Sequence, residues 1–218
     1  MAALVITWVW RTTTVALVAA GMIRLMVGDS LAAWVDESIF AHPEQGFYVL
    51  AATVAAPVEC ESLRVVLRSL LARRADRLHW RRETPARQLL IAAEIARHNV
   101  AHTVVVGAPL DQRKQERARR YCLETLLPHL QSAGVGQVWI ENRGPVENGR
   151  DRAMANAARA KHILAGPLRV DFAKPLVEPM LWIPDAVAGA FAGARRSTDS
   201  EPFKLLEHAV TQLSVTVP

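Results

Sequence analysis

Apolar residues in this chain fall into short runs separated by polar turns and by longer stretches with helical spacing. Leu31 to Asp36 reads as a first strand, His42-Pro-Glu-Gln-Gly46 as a turn, and Phe47 to Val54 as a second strand. The short connection predicts an antiparallel pair. Pro57 opens a predicted helix through Arg74, with Leu63, Val66, Leu67, Leu70 and Leu71 at helical spacing. Leu78-His79-Trp80 reads as a brief extended segment, and Thr84-Pro85 supplies a cap and first-turn proline for a helix with Leu89, Leu90, Ala93 and Ile95 on its apolar face. A strand at 103–107, a helix at 112–131, a strand at 137–141 and a helix at 151–164 follow, with 168–172 as the candidate last strand. This alternation predicts an α/β layered domain built on one mixed sheet.

Three of the apolar runs carry a tryptophan and end on an acid: Ala-Ala-Trp34-Val-Asp36, Val-Trp139-Ile-Glu141, and Leu-Trp182-Ile-Pro-Asp185. Side chains alternate faces along a strand, so Trp34 shares a face with Asp36, and Trp139 with Glu141. If those strands are neighbours, their carboxylates converge. Asp185 would join them from the head of the helix after the third run. That helix, Ala186-Val-Ala-Gly-Ala-Phe-Ala-Gly-Ala194, is built of small residues and can lie close to a sheet. Oxygen donors without clustered His or Cys point to a hard cation, Mg2+ or Mn2+, rather than zinc. Each acid alone also has a structural explanation, Asp185 as a helix cap and Glu141 as a partner for Arg143.

At 218 residues and 51% hydrophobic content, the chain suits one compact domain at 29–218 and an apolar N-terminal extension at 1–28. The two apolar runs of that extension, broken by Arg11 and Arg24, are shorter than the roughly 18–20 residues needed to cross a bilayer. No stable membrane insertion is expected. A signal peptide cleaved near Leu31-Ala-Ala33 would cut into the Trp34 strand; an overcalled start upstream of Met22 or Met26 is the alternative. Cys60 and Cys122 lack metal-ligand spacing and read as buried free thiols of a reducing, cytoplasmic setting. His98 and His102 lack the intervening Glu of a zinc-protease helix and read as structural.

Net charge is +5, and its distribution says more than its size. Arg64, Arg68, Arg73, Arg74, Arg77, Arg81, Arg82 and Arg87 are opposed over their span only by Asp76 and Glu83, and a second basic knot runs from Arg113 to Arg120. Guanidinium groups fork onto phosphate oxygens, so Arg73, Arg74, Arg81 and Arg82 are candidate contacts to DNA or RNA. Solvated helix faces are the plainer reading of the same residues.

A first strand ending Val-Asp-Glu-Ser, an antiparallel second strand, a Leu-His-Trp segment, a strand ending Ile-Glu-Asn-Arg and a late Leu-Trp-Ile-Pro-Asp-Ala-Val-Ala-Gly-Ala together resemble the bacterial family called domain of unknown function 3800. The resemblance covers roughly 32–195, on motif order. It implies a ribonuclease H-like mixed sheet with antiparallel first strands and flanking helices, and an acidic centre of Asp36, Glu141 and Asp185 similar to those of Holliday-junction resolvases and transposases. Such centres usually add a fourth ligand; Glu37, Asp151, Asp171 and Glu178 are the candidates. In an active centre of this kind Asp36 would bridge two divalent ions roughly 4 Å apart, with His79 or Lys174 contacting phosphate or moving a proton and Arg81 and Arg82 anchoring the backbone. The expected function is metal-dependent hydrolysis of a nucleic-acid phosphodiester; the alternative is a non-catalytic nucleic-acid-binding or interaction module of the same fold.

Overall fold

The computed structural model describes residues 30–164, 166, 168–196 and 201–218; the extension predicted at 1–28 lies outside them. Six strands form one sheet in the order β5-β4-β1-β2-β3-β6. The strands are β1 (Leu31–Phe40), β2 (Phe47–Ala55), β3 (Ala101–Ala108), β4 (Val135–Glu141), β5 (Arg169–Ala173) and β6 (Val210–Thr216). β1 and β2 pair antiparallel, as do β2 and β3, while β4 runs parallel to β1, β5 to β4 and β6 to β3. The sheet is therefore mixed, with the expected antiparallel start.

The candidate last strand at 168–172 proves to be the fifth, because β6 continues the sheet beyond β3. In β6 apolar and polar residues alternate (Val-Thr-Gln-Leu-Ser-Val-Thr) and every residue is partly or largely exposed. Such an edge strand lacks the continuous apolar run that marks the buried strands.

Helices cover both faces. On one lie α1 (Pro57–Ser69), α2 (Pro85–Ile95), α5 (Trp182–Arg196) and α6 (Glu201–Leu206), whose apolar residues form one core with Trp34, Trp80 and Trp182. On the other, α3 (Gln115–Ser132) and α4 (Pro145–Ala160) cover Val35, Leu50 and Ile140. β2 is buried along its whole length, as a central strand covered on both faces must be.

Local chemistry accounts for the helix starts. Pro57, Pro85 and Pro145 occupy the first turns of α1, α2 and α4, where a missing N–H costs nothing. Thr84 caps α2 by accepting from the Arg87 N–H at 3.4 Å. α4 begins at Pro145, not at the expected Asp151, because Gly144 at φ 122° turns the chain directly into it. The predicted α1 ends at Ser69 rather than Arg74, and Trp80 lies in a single 3-10 turn (Trp80–Arg82) instead of an extended segment. Among the described residues no helix is long and apolar enough to cross a membrane. Cys60 and Cys122 are free and buried.

Candidate active site

The pairing of β1 with β4 sets Trp34 opposite Trp139 and Val35 opposite Ile140. One step further on, Asp36 and Glu141 leave the sheet on the face that carries both tryptophans. α5 crosses that face, and its first turn carries Asp185. The three carboxylates line one cleft of about 300 Å³ together with Arg77, His79, Arg81 and Arg143.

Close packing brings α5 in. A Cβ on Gly189 would come within 2.1 Å of Trp80 Cδ1, so only glycine lets the buried indole lie against the helix. Trp80 in turn fixes the acid: its backbone N–H donates to Asp185 Oδ2 at 2.8 Å, and His79 Nδ1 lies 3.2 Å from the same oxygen. Glu141 faces Arg77, with Nη1 to Oε1 at 3.7 Å. Asp36, 7% exposed, accepts the N–H of its neighbour Glu37 at 2.7 Å and also meets the Glu141 side chain.

A buried carboxylate without a cation is costly. Burial first, then the charges of Glu141, Asp185 and Glu37, push the Asp36 carboxyl well above the usual carboxylate range, and a hydrogen bond between the Asp36 and Glu141 side chains adds to this. Burial also raises Glu141, opposed by that hydrogen bond and by Arg77. Burial and the neighbouring acids thus make the ionised form of Asp36 the costly one.

The remaining acidic candidates are engaged elsewhere. Glu37 borders the cleft, but alternation along β1 turns its carboxylate to the opposite face, where Arg119 of α3 donates to it at 2.6 Å. Asp151 is buried on that face and accepts from Arg119 Nη2 at 2.8 Å. Asp171 accepts from Gln137 Nε2 at 3.1 Å, and Glu178 forms a two-pronged pair with Arg64 at 2.9 and 2.8 Å. Lys174 is exposed and does not line the cleft.

Of the four arginines expected to contact nucleic acid, Arg81 lines the cleft and donates to the Ile39 carbonyl at 2.9 Å. Arg73, Arg74 and Arg82 are exposed and do not line it. In the second basic knot Arg119 is no surface charge: it is 1% exposed and also donates to the Tyr48 hydroxyl at 3.2 Å. Burial lowers its guanidinium, but Tyr48, Glu37 and Asp151 more than offset this and hold it above its ordinary value.

Sequence reasoning did not single out Arg77 or the Trp80 N–H. Arg77 stands two residues before His79, at a bend of the chain, and both side chains line the cleft.

The donor chemistry of Asp36, Glu141 and Asp185 fits Mg2+ or Mn2+. As they stand, the described residues include no group of three or more His, Cys, Asp or Glu side chains gathered closely enough to hold a metal ion. No protein-family model matches the chain, and no curated protein is significantly similar to it.

Proposed function

We propose that this protein is a metal-dependent nuclease of ribonuclease H-like architecture, hydrolysing a nucleic-acid phosphodiester at Asp36, Glu141 and Asp185. The observation that carries the reading is the convergence of three acids from three separate elements in one cleft, the most buried of them with no ion-pair partner among the described residues. Three antiparallel strands, with β4 and β5 added parallel beyond β1, support the ribonuclease H-like fold and the kinship with domain of unknown function 3800 that the motif order implies.

Mg2+ or Mn2+ held by the three carboxylates would supply an activated water and neutralise charge on the phosphate. The chain's own residues do the positioning. Asp36 is fixed by its place on β1 and by the Glu37 N–H; Asp185 is oriented by the Trp80 N–H and by His79, which is placed to hold a proton beside the cleft. Arg77 balances Glu141, and Arg81 presents its guanidinium at the mouth to a phosphate of the substrate backbone.

The test is cleavage of labelled single- and double-stranded DNA and RNA with Mg2+ or Mn2+. Asp36→Asn should lower the rate at least about a hundredfold with the circular dichroism spectrum unchanged. Undiminished cleavage in that variant removes the mechanism. A non-catalytic binding module is the second reading, favoured by the partners that Glu141 and Asp185 already have in Arg77 and His79.

A further inference from the structure

Beside the carboxylate cleft lies a larger hollow of about 950 Å³. The two are continuous: Ser38, Ile39, Arg81 and Gly189 line both. The reason is the direction of β1. Beyond Asp36 the same face of the strand presents Ser38 and then Phe40, so a single strand runs from the acidic centre to an aromatic ring across about 13 Å. The opposite wall is α5, where the Trp80 ring lies against Gly189 and Gly193 lines the hollow beside it.

The far end of this hollow is aromatic and cationic. The Arg196 guanidinium lies over the Phe40 ring, 5.4 Å from its centroid, and its Nε is held by the Ala192 carbonyl at 3.1 Å. His42 stacks on Phe40 at 5.8 Å with the planes 9° apart. Next to it the Arg195 guanidinium lies over Phe47 at 5.1 Å. Arg196 and Arg195 are exposed, while Phe40 and His42 are half-buried, so the outer layer of the stack is a guanidinium with its position set from beneath. One acid, Glu201, also lines the hollow.

We propose that this hollow is a subsite for single-stranded nucleic acid, which grips the backbone at Arg81 and stacks an unpaired base on the Arg196–Phe40 platform while the neighbouring phosphate lies at Asp36, Glu141 and Asp185. The proposal rests on the nuclease reading above and adds the substrate class. Every base has a π face, so a ring-backed guanidinium accepts any of them, and bases in an intact duplex have no free face to offer. Arg81 stands where cleft and hollow join, the position from which one phosphate is held while the chain passes from one to the other.

The experiment is fluorescence anisotropy with labelled oligothymidylate, alone and annealed to its complement, titrated with the full chain in EDTA. The expected result is tighter binding of the single strand than of the duplex, and about tenfold weaker single-strand binding for Arg196→Ala. Arg81→Ala should weaken binding and flatten its salt dependence. Both side chains are exposed, so neither variant is expected to disturb folding. Equal affinity for single strand and duplex, or affinity in both variants within about twofold of the unaltered chain, overturns the subsite. If Mn2+ binding and cleavage persist in that case, the subsite alone falls. If the unaltered chain binds neither oligonucleotide, with or without Mn2+, the nuclease reading falls with it.

Discussion

Replacing Arg119 with methionine tests how the end of β1 is held. The guanidinium is 1% exposed and donates to Asp151 through Nε and Nη2, to Glu37 at 2.6 Å and to Tyr48 at 3.2 Å. Methionine fills much of the stem volume but leaves two carboxylates, 6% and 18% exposed, facing an apolar group. Arg143 stays 3.5 Å from Asp151, so that acid keeps one cation; among the described residues Glu37 keeps no ion pair once Arg119 is gone. Breaking a buried ion pair from one side costs about 3–5 kcal/mol, a large part of the roughly 5–15 kcal/mol that stabilises a typical domain. At about 2–4 °C per kcal/mol for a chain of this size, the melting temperature should fall by roughly 6–20 °C. Urea unfolding followed by circular dichroism measures the loss. The variant Arg119→Met with Asp151→Leu and Glu37→Gln should recover much of it, because the stranded charges are gone. A single-variant loss below about 1 kcal/mol would refute the assignment of this cluster as a buried, charge-balanced anchor.

Asp36→Asn should raise stability at neutral pH. With its pKa raised in the fold above an unfolded value near 3.9, Asp36 binds more proton folded than unfolded, so the native state loses stability as pH rises through that window. The variant's advantage should therefore fade towards about pH 4, the reverse of what a charge-paired aspartate would give; a less stable variant at pH 7 contradicts this. His102 acts in the opposite sense. Burial, then His208, lowers it to about 3, so its contribution is complete above about pH 6.5 and is lost as pH falls towards 3. His102→Gln should remove about 3 kcal/mol of the acid sensitivity between neutral pH and pH 4, read from urea midpoints at each pH. Gly189→Ala should cost about 1–3 kcal/mol, because the added methyl meets the Trp80 ring; an unchanged melting temperature would show that α5 does not depend on this close approach.

How much of this was legible in the sequence differs by element. The cleft was legible because a period of two fixes which acid follows which tryptophan, and one assumption, that β1 and β4 are neighbours, brings Asp36 and Glu141 together. Asp185 followed from its place at the head of a small-residue helix, whose first turn holds it. The roles of Glu37 and Asp151 were not legible, because both depend on which helix covers the far face and on Arg119 lying in the core-facing row of α3 rather than in a basic patch. Nor was β6, whose alternating polar residues gave no buried run to detect. The stack of Arg196 on Phe40 joins positions far apart in the chain, and no local pattern announces it.

Manganese binding by titration calorimetry, with a short oligonucleotide present, tests the central claim most directly. The account predicts binding by the unaltered chain that disappears in Asp36→Asn while the oligonucleotide remains bound. Equal manganese binding by both proteins, or none by either, would contradict an acidic metal centre at Asp36, Glu141 and Asp185.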